Sequence, residues 1–195
     1  RKLLEENLPT VLKALRKAQV DYEIIIPDDN SPDDSVDYLK KEFPEVMVIA
    51  AKENRGFSGN INRGIERTTK ELVFLVNSDV SLDEDYFLPQ FHYFEDPQTF
   101  GVMGAIYNGE QLIDAAKYPQ MRWNGQIVST KNYHPKTGVQ RLETLFLSGA
   151  NALVDRKKLQ ELGGFSELYS PFYGEDADLS IRAWRLGWKC YYEAS

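Results

Sequence analysis

Short, mainly apolar runs alternate with helical periods along the first half of the chain. Each run has the length and β-branched composition of a buried strand, and the runs lie at residues 22–26, 46–50 and 72–76. Apolar residues at helical spacing occur at 8–15 and after the glycines of 56–59, and Asp33 or Asp34 can cap a helix that runs to about Glu42. Such alternation predicts βαβ units with right-handed crossovers. We therefore expect an α/β fold of the nucleotide-binding type in this half.

The second half follows a looser pattern. A helix is predicted near 85–94 and a strand over 101–107, followed by hairpins and loops in 108–140, where Gly, Pro, Asn and aromatic residues mix. The regular elements expected after this region are strands at 145–147 and 150–154 and helices at 155–162 and about 175–186. No segment has linker composition and no repeat is visible, so we expect one domain.

Composition narrows the class of protein. The 195 residues are 42% hydrophobic and 27% charged, as in ordinary globular domains. The net charge is −7 and the basic residues are scattered, so nucleic acid is not an expected partner. Cys190 is the single cysteine, which excludes an internal disulfide and is compatible with a reducing compartment such as the cytoplasm. No apolar run is long enough to span a bilayer.

Acidic residues lie where predicted core elements begin or end. Asn77, Ser78 and Asp79 follow the strand at 72–76, and ligands of α/β proteins bind at the carboxyl ends of such strands. Magnesium and manganese prefer oxygen ligands, which makes Asp79 a candidate metal ligand. The alternative is that these residues only cap a turn.

Two further segments have both a functional and a structural interpretation. Asp28 and Asp29 close a strand at the predicted carboxyl edge of the sheet, but with their neighbours they also form a turn-rich cluster. The segment 54–64 leads into a helix, so its backbone amides and Arg55 are candidates for contacting a diphosphate. Close packing of helix against sheet explains its glycines equally well.

Other polar residues have structural explanations. Asp178 precedes Arg182 by the spacing of a helical ion pair. His92 and His134 have no partner at the spacing of metal ligands, so no zinc site is expected.

A series of motifs resembles the inverting glycosyltransferases of family 2, which have the GT-A fold. In chain order the motifs lie at 8–12, 23–31, 54–64, 77–79, 148–151, 163–165 and 174–176. Each is weak alone, but their order and spacing over nearly the whole chain are specific. The resemblance implies an α/β GT-A fold with a mostly parallel central sheet flanked by helices. It also implies a single domain over 1–195, with a nucleotide-binding half at 1–100 and an acceptor-binding half at 101–195.

The sequence departs from the family pattern in three respects. Members of the family usually begin with a strand that carries a nucleotide-contacting loop, and this strand is missing before the opening helix. They also commonly have a metal-facing histidine beyond the last strand, which is missing here too. We therefore expect a fragment truncated at both ends, whose activity in isolation is an open question. Asn77 also replaces the first acid of the usual Asp-x-Asp motif, which puts tight metal binding in question.

The resemblance implies a sugar transfer from a nucleoside-diphosphate sugar, such as a UDP-sugar, to an acceptor hydroxyl. Inversion, assistance by Mg²⁺ or Mn²⁺ at Asp79, and transfer of a hexosyl or related group are expected. Asp176 would be the catalytic base, and Glu175 would contact the acceptor or orient the loop. The donor would be contacted by Asp29 at the nucleotide base and by Asp28, Arg55, Asn62, Asn77, Ser78 and Gly149.

The implied partners are a nucleotide-sugar donor and a carbohydrate or lipid-linked acceptor. Polysaccharide synthesis for the cell envelope is expected, in the cytoplasm or at the inner face of the cell membrane. Peripheral membrane association would involve regions outside this chain. The alternative function is a non-catalytic nucleotide- or carbohydrate-binding domain of the same fold.

Overall fold

The computed structural model describes residues 1–122, 124–125, 127–135, 141–170 and 173–194. Its α-helices are α1 (Lys2–Ala18), α2 (Ser35–Glu42), α3 (Gly56–Ile65), α4 (Arg156–Glu161) and α5 (Glu175–Arg185). Its strands are β1 (Ile25–Asp28), β2 (Met47–Ala50), β3 (Leu72–Val76), β4 (Thr99–Met103), β5 (Ile106–Asn108), β6 (Gln111–Asp114), β7 (Ala116–Met121), β8 (Ile127–Tyr133), β9 (Leu142–Glu143), β10 (Asn151–Asp155) and β11 (Lys189–Tyr192).

Strands β1 and β2 form a parallel pair, whereas the central five-stranded sheet has the order β3-β10-β4-β11-β9. In that sheet β10 runs antiparallel to both β3 and β4, and β11 runs parallel to β4. The α/β class with a central sheet and helices is confirmed, but the pairing is mixed and not mostly parallel. The hydrophobic period of a strand carries no information about the direction of its neighbours, so the sequence pattern could not predict the reversed β10.

Two predicted elements differ from the structure. The helix expected near 85–94 is replaced by turns and a short 3₁₀ helix at Phe91–Glu95. Pro89 lacks a backbone N–H and disfavours helical backbone at the preceding residue, which accounts for the break. The strand expected at 145–147 is a connecting segment, and its Leu147 amide donates to Ser180 Oγ at 3.0 Å. The expected hairpins are present as β5–β6 and β7–β8.

The largest group of buried residues lies around the five-stranded sheet. It includes Phe100 and Met103 on β4, Val154 on β10 and Tyr192 on β11, each at most 1% exposed. Burying apolar side chains of this size is the main stabilising contribution to the fold. The sheet is therefore a rigid support for the loops at its edge.

The β1–β2 pair and the five-stranded sheet are not hydrogen-bonded to each other. An apolar cavity of about 440 Å³ lies between β1 and β3, with Val11 of α1 among its lining residues. A second cavity of about 280 Å³ is lined by Pro27 at the end of β1, Phe57 in α3 and Asn77 after β3. The carboxyl ends of β1 and β3 therefore face a common region of the molecule. Among the described residues, no helix has the length and apolar character needed to cross a membrane.

Candidate active site

The side chain of Asp176 lies in the first turn of α5 and is mostly buried. Helix α5 begins after Gly174, whose φ of 114° is in the left-handed region that favours glycine. The pKa of Asp176 is raised to about 6, mainly by burial. The Gly149 backbone amide opposes this rise, and the charges of Glu175 and Asp114 add to it. Oδ1 of Asp176 is buried and has no hydrogen-bond partner among the described residues. This carboxyl group is available to accept a proton near neutral pH.

Gly149 allows the backbone to pack directly against this carboxylate. A Cβ atom at position 149 would lie 2.7 Å from Oδ1 of Asp176 and 3.2 Å from Cζ of Phe57. The ring of Phe57 in turn meets that of Phe165 edge to face, with centroids 5.4 Å apart. A side chain at position 149 would therefore displace either the carboxylate or the aromatic ring.

Glu175 is the more deeply buried acid of the pair, at 6% exposure. Its Oε2 atom has no hydrogen-bond partner within the described part of the chain. Glu175 is therefore positioned to influence Asp176 electrostatically, while its own contact with a substrate stays a prediction.

Asp79 lies in the loop that follows β3. The Asn77 amide donates to the Ala150 carbonyl at 3.3 Å, and Asn7 Nδ2 donates to the Ser78 carbonyl at 2.9 Å, so both neighbours are tied down through the backbone. Asp79 itself is exposed, and no described residue forms a hydrogen bond or ion pair with its carboxylate. Its oxygens are therefore free for an external ligand.

Asp79 lines a cavity of about 960 Å³, which we call the acidic cleft. Among its lining residues are Asn77, Asp79, Asp83, Tyr107, Asp114, Lys117, Ser148 and Ala150. The described residues include no cluster of three or more His, Cys, Asp or Glu side chains suited to a metal ion. A metal here would therefore need ligands from a substrate in addition to Asp79.

The carboxylate of Asp29 caps helix α3. Its oxygens accept hydrogen bonds from the Arg55 amide at 3.0 and 3.1 Å and from the Gly56 amide at 2.9 Å. Arg63 Nη2 lies 3.4 Å from Oδ1. The buried Asp28 instead accepts from the Ser31 amide at 3.1 Å and so orients its own loop. Capping therefore explains much of this acidic pair, and the contact of Asp29 with a nucleotide base stays a prediction.

Two other predicted donor contacts have different surroundings. The Arg55 side chain is exposed and pairs with Glu53 at 3.1 Å. Asn62 uses both ends of its amide on one backbone residue: Nδ2 donates to the Phe165 carbonyl at 2.8 Å, and Oδ1 accepts from the Phe165 amide at 2.9 Å. This geometry gives Asn62 a structural role, and its contact with a nucleotide stays a prediction.

A chain of contacts brings the predicted acids to one region. Asp29 bonds to the Gly56 amide, and the next residue, Phe57, contacts Gly149, which packs on Asp176. The following residue, Ala150, accepts a hydrogen bond from the Asn77 amide at the start of the loop that carries Asp79. Residues far apart in sequence are thus neighbours around one edge of the sheet.

Asp114 and Lys117 are site residues that the sequence reasoning missed. Both line the acidic cleft, and Asp114 contributes to the raised pKa of Asp176. The only available signal was an opposite-charge pair at a spacing of three within a predicted hairpin. Such pairs are common on solvated surfaces, so this signal would not have distinguished them.

Comparison with known proteins decides the family. Residues 2–163 match the family described as "Glycosyl transferase family 2". The chain belongs to this family. It is 27% identical over 173 residues to a beta-monoglucosyldiacylglycerol synthase of Synechocystis sp., covering 86% of this chain and 35% of that protein. It is also 24% identical to an N-acetylglucosaminyl-diphospho-decaprenol L-rhamnosyltransferase of Mycobacterium tuberculosis, covering 88% of this chain and 64% of that protein.

Solved structures share the fold of this chain. GalNAc-T7 with UDP, GalNAc and Mn²⁺ superposes with a TM-score of 0.76 at 16% identity, covering 97% of this chain and 39% of that one. A mannosyltransferase from Pyrobaculum calidifontis with GDP-Man and Mn²⁺ gives a TM-score of 0.64 at 19% identity, covering 99% of this chain and 53% of that one. These likenesses confirm the GT-A fold. The chain spans roughly a third to two thirds of the length of these proteins.

Proposed function

We propose that this glycosyltransferase transfers a sugar from a nucleoside-diphosphate sugar to an acceptor hydroxyl with inversion, and that Asp176 is the catalytic base. The observation that carries the proposal is the buried carboxyl group of Asp176, whose Oδ1 has no hydrogen-bond partner in the described part of the chain and whose pKa is raised to about 6. A base for a sugar hydroxyl needs this combination of position and proton affinity. A carboxylate that merely capped α5 would bond to backbone amides and have a lowered pKa.

In the proposed reaction, Oδ1 of Asp176 accepts the proton of the acceptor hydroxyl as its oxygen attacks the anomeric carbon. The bond between that carbon and the diphosphate oxygen breaks on the opposite face, and its electron pair leaves with the nucleoside diphosphate. Attack opposite to the leaving group inverts the configuration. The backbone of Gly149 packs against this carboxylate and leaves no room for a side chain between them.

The residues present are compatible with a divalent metal in the acidic cleft. Asp79 would hold it together with phosphate oxygens of the donor, since Mg²⁺ and Mn²⁺ commonly combine one or two carboxylates with such ligands. When bound, the metal would stabilise negative charge on the departing diphosphate. The free carboxylate of Asp79 supports this assignment, as do the Mn²⁺ complexes of GalNAc-T7 and of the P. calidifontis enzyme.

The donor would lie against the loops of the first half, and the acceptor against the hairpins of the second. Asp29 would accept a hydrogen bond from the nucleotide base, Arg55 would contact the diphosphate, and Asn77 and Ser78 would line the donor site. Both curated relatives have names that include a lipid-based compound, a diacylglycerol or a diphospho-decaprenol. An envelope glycan or glycolipid as product, a hexosyl donor and a location at the inner membrane face are proposed on this support.

A panel of UDP-, GDP- and dTDP-sugars tests the proposal. Release of nucleoside diphosphate would be measured for the wild type and for Asp176→Asn, with and without Mn²⁺. We expect metal-dependent turnover by the wild type and a loss of about 10³-fold in the variant. NMR of the product anomer checks inversion. Metal-independent nucleotide binding without any turnover would instead favour the non-catalytic binding domain.

A further inference from the structure

The acidic cleft contains an ion pair that the proposed mechanism does not use. Asp114 of β6 pairs with Lys117 of β7, and their side chains are only 18% and 13% exposed. Lys117 Nζ also donates to Asn132 Oδ1 at 2.6 Å and lies 5.8 Å from the centre of the Phe146 ring. Asn132 Nδ2 donates in turn to the Ile113 carbonyl at 3.3 Å. The pair is therefore held firmly where the two hairpins meet.

Stability alone gives little reason for this pair. Removing two charges from water offsets most of their mutual attraction, so a buried ion pair is weak evidence of a stabilising role. Lys117 is the only basic residue among the described residues that line the acidic cleft. Ser148 and Ala150 also line this cleft, and between them lies Gly149, which packs on Asp176. The pair thus places a charged donor and a charged acceptor near the proposed base.

An aromatic ring lies on the same wall of the cleft. Tyr107 of β5 is 51% exposed and lines the acidic cleft together with Asp114 and Lys117. A pyranose ring has an apolar face of C–H groups and a rim of hydroxyls. An aromatic side chain beside charged hydrogen-bonding groups matches both features. An acceptor without a sugar ring would have neither neighbouring hydroxyls to bond to both charged groups nor a C–H face to pack on the aromatic ring.

We propose that Asp114, Lys117 and Tyr107 form the subsite for a sugar ring of the acceptor, an inference that rests on the transfer reaction proposed above. Asp114 accepts a hydrogen bond from one ring hydroxyl, and Lys117 donates to a neighbouring ring oxygen. Tyr107 packs against the C–H face of the ring. The acceptor is therefore a glycan or a glycosylated lipid, and its reacting hydroxyl belongs to, or adjoins, the bound sugar.

The chain offers a closely matched control pair. Asp155 and Lys158 also lie three residues apart, with side chains 27% and 15% exposed, and Lys158 Nζ lies 5.9 Å from the Trp188 ring. This pair belongs to the start of α4 and does not line the acidic cleft. Lys117→Met and Lys158→Met therefore remove the same kind of charge from similar surroundings, one inside the proposed subsite and one outside it.

Saturation-transfer NMR tests the subsite with methyl glycosides of glucose, galactose, mannose, rhamnose and N-acetylglucosamine, in the presence of UDP and Mn²⁺. We expect at least one glycoside to bind the wild type and its signal to fall at least about fivefold in Asp114→Asn and Lys117→Met. Lys158→Met should bind like the wild type. Tyr107→Phe should retain binding and Tyr107→Ala should lose it, because the ring supplies the stacking surface.

Binding of none of the glycosides, or equal binding by wild type and Lys117→Met, would overturn the proposal. Since Tyr107 is half exposed, its alanine variant should keep the wild-type melting temperature within about 2 °C. Equal binding by that folded variant would also overturn the proposal, even if the charge variants unfold. The proposed transfer reaction would fail in a different way. No donor would then release its nucleotide, although the glycosides would still bind.

Discussion

The backbone at Gly149 packs directly against the carboxylate of Asp176, so that a Cβ atom at position 149 would lie 2.7 Å from Oδ1. The backbone of Gly149 does not have the positive φ that only glycine adopts easily. Glycine is therefore needed here for the close contact with Asp176 and not for the backbone conformation. Because alanine can adopt this backbone conformation, a substitution at position 149 tests the contact alone.

Gly149→Ala should reduce transfer about 100-fold, because a shift of about 1 Å in a catalytic group has effects of this size. Gly64→Ala is the control, since it adds the same methyl group in α3, where Pro27 Cγ would lie 3.2 Å away. Steady-state kinetics and thermal melting of both variants provide the measurement. Equal activity of the two variants would show that the position of Asp176 is not critical.

The rate of transfer should depend on the ionisation of Asp176. The pKa of this group is about 6, and only the ionised form accepts a proton. We therefore expect log kcat/KM to rise with a slope of one below pH 6 and to level off above it. A profile that is flat from pH 5 to pH 8 would argue against Asp176 as the base.

Asp176 should also lower stability at neutral pH. Its pKa is raised from 3.8 in the unfolded chain to about 6 in the folded state, so the folded state binds the extra proton between these values. The contribution of Asp176 to stability is therefore fully present below pH 4 and is lost as the pH rises through 6, by about 3 kcal/mol for a shift of about two units. Asp176→Asn should remove this pH dependence and melt higher than the wild type at pH 7.5. An inactive variant with raised stability would exclude misfolding as the cause of inactivity.

Asp79→Asn should weaken Mn²⁺-dependent binding of UDP by about tenfold or more. Removing a residue that only hydrogen-bonds to a metal ligand already costs about 10- to 100-fold in metal affinity, and removing the ligand itself should cost at least as much. The free energy of unfolding should change by less than about 0.5 kcal/mol, since the exposed carboxylate bonds to no described residue. Calorimetry with and without Mn²⁺ measures the affinity. Asp83→Asn, in the same cleft wall, is the control and should bind like the wild type.

Asn62→Ala should destabilise the protein by about 1–3 kcal/mol, because it removes two hydrogen bonds and leaves the buried backbone of Phe165 unpaired. Urea unfolding measures this change. Affinity for UDP, measured well below the unfolding midpoint, should stay within twofold of the wild type. A large loss of affinity in a folded variant would instead support the predicted contact of Asn62 with the nucleotide.

Much of the local structure was determined by the sequence alone. Spacing of apolar residues predicted the helices α1 and α5, and a capping aspartate at 33 or 34 predicted α2. The pair of Asp178 with Arg182 forms as expected at 2.8 Å. These features depend on neighbours within one helical turn or one strand, which periodicity records directly. The order of the family motifs likewise fixed the fold class, because it samples the whole chain.

The tertiary structure alone decided the chemistry of the site. The packing of Gly149 against Asp176, the capping role of Asp29 and the hydrogen bonds of Asn62 to Phe165 all depend on contacts between segments distant in sequence. The same holds for the reversed strand β10 and for the approach of Asp114 to Asp176. A residue type and its local spacing show what chemistry is available. The pKa of a group depends on its desolvation and on nearby charges, and its free hydrogen-bonding capacity depends on its neighbours. Both are set only when the chain packs.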